Sequence, residues 1–120
     1  RAETIRRIAG RGGVVGVVLL QSFLGDGGIP FKDLRRQLPL ETVIAQIDYS
    51  CQLVGHTRHI GLGSDMDGSF GQERTPFGLD SVADLTVIGE ELSKRGYSAA
   101  DIEGIMGGNW LNLLRRTLPD

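Results

Sequence analysis

The run Val14-Val15-Gly16-Val17-Val18-Leu19-Leu20 constrains this chain more than any other feature. It is continuous, rich in β-branched residues and far short of the ~20 apolar residues that span a bilayer. A strand without polar alternation is covered on both faces, which is the habit of parallel sheets. His59-Ile60-Gly61-Leu62-Gly63 is a second short run of this kind. Parallel strands need a crossover of a dozen or more residues, usually helical. The segment between the two runs supplies one. Val43, Ile44, Ile47, Cys51 and Val54 keep helical spacing, Pro39 suits the first turn, and Gly55 closes the end.

The flanking segments continue the alternation. Ala2–Gly10 predicts a helix with Ile5, Ile8 and Ala9 on one face, stopped by Arg11-Gly12-Gly13. Gln21–Leu38 predicts a long connection with a short helix around Phe31–Gln37. Ser64–Gly78 predicts a loop, and Ser81–Arg95 a helix with Leu85, Ile88 and Leu92 facing inward and Gly96 at its end. Ser98-Ala99-Ala100-Asp101 has the form of a capping box and opens a further helix through Met106. Gly107-Gly108 is expected to break that helix, and Asn109 to cap a last one, Trp110–Leu118. Buried strands alternating with amphipathic helices mean an α/β fold with right-handed crossovers. Two strands are too few for a stable sheet, so neighbouring strands are expected outside this sequence. The chain also opens on Arg1 inside a helical pattern, a second sign that residues 1–120 form one partial domain.

Composition narrows function by exclusion. Thirteen Lys+Arg stand against 15 Asp+Glu, a net charge of -2, so there is no basic footprint for nucleic acid or anionic membrane. The single cysteine, Cys51, excludes an internal disulfide and a CxxC zinc cluster. Asp65-Met66-Asp67-Gly68 lacks the third ligand position and closing Glu of a calcium loop. Gly61-Leu62-Gly63 lacks the third glycine of a dinucleotide fingerprint, and no phosphate-binding GK[ST] exists. His56 and His59 sit at the entry to the second strand and read as a solvated turn. Arg115-Arg116 reads as a solvated helix end, and Trp110, Leu111, Leu113 and Leu114 as core or interface.

In parallel α/β proteins ligands bind at the carboxyl ends of strands. Gln21–Asp26 and Ser64–Gly68 occupy those places. Asp65 stands where the second strand ends. A carboxylate there can act as general base, hold a metal-bound water or pair with a substrate ammonium; it can also merely cap the loop.

Several passages carry a resemblance. Arg-Gly-Gly-Val-Val-Gly-Val (11–17) is similar to the penultimate helix-to-strand passage of the membrane (renal) dipeptidase family. His59–Gly68 resembles its "HVGIGSDFDG" passage, Thr75-Pro76-Phe77-Gly78-Leu79 its "TPEGL" segment, and Arg95–Ser98, Asp101-Ile102 and Gly107–Asn109 its "RGYSEEDI…GGN" ending. Met66 replaces a frequent Phe, and Gln46 stands where members often have His. The resemblance implies the C-terminal portion of a (β/α)8 barrel, a fold of ~250 residues. Val14–Leu20 would be strand seven and His59–Gly63 strand eight. It further implies dipeptide hydrolysis by water activated on two zinc ions. The metal ligands would lie upstream of Arg1, so no residue here is assigned to metal. Asp65 is implied to be catalytic, touching the activated water and the substrate's amino group. Gln21, Phe23 and Asp67 are implied to lie near the substrate.

From these readings the chain is expected to be inactive alone and to associate through exposed strand edges and apolar faces, as a homo-oligomer. Two other readings compete. One is a non-catalytic, self-associating α/β unit; the other is an amidohydrolase-type barrel enzyme acting on a non-peptide amide or lactone.

Overall fold

A computed structural model describes residues 2–24, 38–66, 68 and 70–120. Helix α1 (Ala2–Gly10) leads into strand β1 (Val15–Val17), then a single helical turn α2 (Gln21–Leu24) and the long α3 (Leu40–Val54). Strand β2 (Ile60–Leu62) follows, and after two 3₁₀ turns come α4 (Thr86–Lys94), α5 (Ala99–Glu103) and α6 (Asn109–Thr117). The two strands are parallel, with Val15, Gly16 and Val17 opposite Ile60, Gly61 and Leu62. The expected helix 31–37 lies outside the described residues.

The boundaries follow from local chemistry. After α1, Gly12 adopts a left-handed φ of 76°, and the amides of Gly12 and Gly13 return to the carbonyls of Ala9 and Ile8, each at 2.9 Å. Gly55 closes α3 in the same way, its N–H on the Cys51 carbonyl at 2.8 Å. Both strands are shorter than the apolar runs that encode them, because a ladder persists only where both partners are extended. Past β2, Gly63 N–H to the Val17 carbonyl at 3.0 Å and Leu19 N–H to the Ser64 carbonyl at 3.3 Å keep the departing chains together. The Gln21–Leu38 connection begins with α2 rather than with irregular chain.

The two faces of the sheet are covered differently. Val17 and Ile60 point to a core built with Val43, Ile44 and Ile47 of α3 and Ile88 and Leu92 of α4, the helical stripe that the sequence marks. The opposite face presents Gly16 and Gly61, and the indole of Trp110 lies on them. Trp110 Nε1–H donates to the Leu62 carbonyl at 2.9 Å. A β-carbon on Gly61 would run into that indole, and one on Gly16 would stand 3.2 Å from it.

The expected break falls at Gly107, where the backbone leaves helical geometry. The chain passes from α5 to α6 through a widened turn, Gly104–Gly108, with a kink at Gly107 and the Asn109 N–H bonded to the Gly104 carbonyl. Asn109 does not cap a helix. Its buried side-chain amide donates to the carbonyls of Thr57 and Ile60 at 2.8 and 2.7 Å, tying α6 to the entry of β2. Among the described residues no helix is long and apolar enough to cross a membrane.

Candidate active site

Asp65 follows β2 by three residues, at the carboxyl edge of the parallel pair. Its φ of 54° is left-handed, a conformation aspartate tolerates better than most side chains. The Asp65 carbonyl accepts the Gly68 N–H at 2.8 Å, closing a tight turn. A β-carbon on residue 68 would collide with the Asp65 carboxylate and lie 2.8 Å from its carbonyl oxygen, so only glycine fits beneath it. Gly68 lets the turn fold tightly under a carboxylate that is exposed and has no hydrogen-bond or ion-pair partner among the described residues. Such a group is available to a ligand's cation or proton.

Met66 and Phe70 line a cavity of about 300 Å³ beside this turn, with Thr75, Asp80, Ser81 and Val82 on its other side. The buried Thr75 hydroxyl lies 2.6 Å from the Leu79 carbonyl and 3.0 Å from that of Gln72, which fixes the wall. A complete capping box at Ser81 and Asp84 shapes the far rim, the Ser81 N–H reaching Asp84 Oδ2 at 2.8 Å. Its Ser-x-x-Asp spacing is plain in the sequence, matches that at Ser98–Asp101, and falls where the helix 81–95 is expected to begin.

The other candidates fall as follows. Gln21 and Phe23 leave β1 at the same edge as Asp65, because Leu19 and Ser64 are bonded there. Gln21 is fully buried, and its Oε1 accepts the Leu38 N–H at 2.8 Å, which orients it toward the chain rather than solvent. Its Nε2 is buried without a partner among the described residues. Phe23 is 65% exposed. Asp67 lies outside the described residues. His56 and His59 are at the opposite edge, their ring centroids 4.7 Å apart. They are not merely solvated: His59 Nδ1 is 2.7 Å from the Gly13 carbonyl, and His56 Nδ1 is shut from water with no partner among the described residues.

Cys51 offers no nucleophile. Burial pushes its thiol up to about 11, so it stays protonated at neutral pH. The adjacent Tyr97 hydroxyl donates to Asp48 Oδ1 at 2.6 Å, and burial together with this bond pushes its pKa up as well. Tyr97 therefore ties the segment after α4 to α3.

Among the described residues no three His, Cys, Asp or Glu side chains converge as metal ligands. Asp65 and the histidine pair sit at opposite ends of the sheet and cannot share an ion. The side chains described do not by themselves make a metal centre.

Parallel strands joined through a helical crossover, with an open carboxylate where the second strand ends, define an α/β protein of the kind that gathers its chemistry at strand carboxyl ends. This chain belongs to the membrane dipeptidase family (peptidase family M19), whose sequence profile matches residues 2–118. An uncharacterized protein from the pqqA 5′ region of Klebsiella pneumoniae is 34% identical over 113 residues, covering 94% of this chain and 38% of that protein. Dipeptidase aclJ of Aspergillus oryzae is 41% identical over 75 residues, 62% of this chain and 17% of that enzyme. The chain thus spans well under half the length of these relatives. A Rhodobacter sphaeroides metallopeptidase, solved with a phosphinate mimic of the dipeptide L-Ala-D-Ala, superposes with a TM-score of 0.81 at 26% identity, over 98% of this chain and 31% of that one. An amidohydrolase from Pseudomonas aeruginosa gives 0.77 at 26% identity, over 95% of this chain and 39% of that one.

Proposed function

We propose that residues 1–120 form the C-terminal portion of a dipeptide-hydrolysing (β/α)8 barrel, with β1 and β2 as its seventh and eighth strands and Asp65 as a catalytic group. The carrying observation is the open carboxylate of Asp65 at the carboxyl edge of β2. The superposed metallopeptidase with its dipeptide mimic supports the substrate class.

In this reading the Asp65 carboxylate pairs with the α-ammonium of a dipeptide through charge-assisted hydrogen bonds, and it takes up or returns a proton as the amide is cleaved. The left-handed turn over Gly68 holds it in place. Phe23 flanks the substrate, and Gln21 supports the β1 side of the site from within; Asp67, which the resemblance assigns to the substrate, lies outside the described residues. Two zinc ions, the metal implied by the resemblance, would be held by side chains other than those described here. It follows that the 120-residue chain alone is inactive.

The test has two arms, both assayed by release of free amino acid from L-Ala-D-Ala and L-Ala-L-Ala. The isolated chain should give no turnover above a metal-only control. In a polypeptide that joins these residues to a metal-ligating remainder of the family fold, Asp65→Asn should lower kcat by at least ~100-fold with metal content kept. Full activity of that variant removes Asp65 from the mechanism, and turnover by the isolated chain removes the division of labour. The amidohydrolase likeness favours one second reading, a cyclic amide or lactone as substrate. Preferential turnover of such compounds over dipeptides would establish it.

A further inference from the structure

The edge of the sheet opposite Asp65 carries a cavity of about 540 Å³ lined by Arg58, His59, Asn109, Asn112, Arg115 and Arg116. Its walls come from two places about fifty residues apart in sequence. Arg58 and His59 precede β2, while the other four form one face of α6, at positions i, i+3, i+6 and i+7. The Asn109 amide bonds to Thr57 and Ile60 lock these two walls together.

The lining is one-sided in charge. Among the described residues it holds three guanidinium groups, a histidine and two amides, and no carboxylate, in a chain whose net charge is -2. Arg116 is oriented by its own bonds, Nη2–H to the Gly12 carbonyl at 2.8 Å and Nε–H to the Asn112 carbonyl at 3.2 Å. Arg58 and Arg115 are exposed and have no hydrogen-bond or ion-pair partner among the described residues. Unpaired guanidinium forks gathered around a concave space are suited to bidentate oxyanions. Among the described residues the lining holds no aliphatic residue and no aromatic ring but the imidazole, so polar groups are what it offers to orient a ligand.

We propose that this cavity is a binding site for a small multivalent oxyanion, a phosphate or a polycarboxylate, held by Arg58 and Arg115 with Asn112 donating from α6. The site is separate from Asp65 and does not depend on the dipeptidase reading.

The experiment is calorimetric titration of the full chain with inorganic phosphate and with citrate at constant ionic strength, chloride being the background anion. At least one of the two should bind saturably with a stoichiometry of one. Arg58→Gln/Arg115→Gln removes two exposed side chains without a structural bond and should weaken that binding at least about tenfold. Asn112→Asp, which adds a carboxylate to the wall, should do the same. Arg6→Gln/Arg7→Gln, an equal charge change on α1, should leave binding unchanged. Tighter phosphate identifies a phosphoryl ligand, and tighter citrate a polycarboxylate. No saturable binding of either anion, or binding that survives both cavity variants, overturns the proposal.

Discussion

The imidazole of His56 links solvent pH to stability just below neutrality. The Nδ1 atom of His56 is shut from water without a partner among the described residues, and the Arg58 guanidinium and the His59 ring lie beside it. Burial, reinforced by these like charges, holds the His56 pKa below its ordinary 6.5. The folded state therefore prefers the neutral ring. As pH falls below 6.5 the unfolded chain takes up the proton first, so the stability contributed by neutral His56 is full above 6.5 and is lost toward its lower folded value. The urea midpoint should drop between pH 7 and pH 5.5, and His56→Gln should flatten that slope; an equal slope in the variant would show that other groups carry the effect. The sequence puts His56 and His59 in a turn but says nothing of this. Imidazole burial depends on α1 and its following turn folding back beside the entry to β2, where Gly13 meets His59, and no local pattern encodes that contact. Asp65 is the contrary case. Its placement depends only on the end of a strand and a glycine three residues on, both visible in the sequence.

At the scale of elements, the glycine face of the sheet is where sequence and structure connect least obviously. Gly16, Gly61 and Gly63 look like interruptions of two apolar runs, yet Gly16 and Gly61 make the floor on which Trp110 lies, and Gly63 lets its chain approach the backbone of Gly16. Gly61→Ala would drive a β-carbon into the indole and break its 2.9 Å bond to the Leu62 carbonyl. Overpacking of this kind costs about 1–3 kcal/mol. The variant should unfold at lower urea, with the native emission of Trp110 shifted to the red. Gly10→Ala is the control, since a β-carbon there meets nothing within 4 Å. A Gly61→Ala protein as stable as the parent would mean that Trp110 does not rest on the sheet. The helices were legible because their information is local. The stripe Val43, Ile44, Ile47, Cys51 has the period of α3, and Gly12, Gly55 and Gly96 all take the left-handed φ expected at helix ends. The break between α5 and α6 is legible in its two glycines: Gly107 leaves helical geometry as expected, and a widened turn bonds the Asn109 N–H to the Gly104 carbonyl across the kink.

Across the whole molecule, the apolar surface left exposed is the feature with a consequence in solution. Leu111, Leu114 and Leu118, spaced as one stripe along α6 and its end, are 53%, 45% and 62% exposed. Phe77 and Val82 are each 66% exposed beyond β2. Each strand is paired along one edge only among the described residues, and a two-stranded sheet is marginal without neighbours. In the solved relatives this stretch makes up 31% of the metallopeptidase and 39% of the amidohydrolase. No composition statistic reveals an uncovered face; the alternation of two doubly covered strands with helices does, because it calls for strands that the sequence does not encode. At micromolar concentration the chain should associate, giving a light-scattering mass of a dimer or more. Leu111→Glu/Leu114→Glu should return it toward monomer if the α6 stripe is the contact. Association that survives this change moves the contact to the strand edges, where a proline at Val14 should then disperse it, since proline cannot donate to a ladder. A clean monomer of the unmodified chain would show that these surfaces are stable in water, and would remove self-association from the account of this molecule.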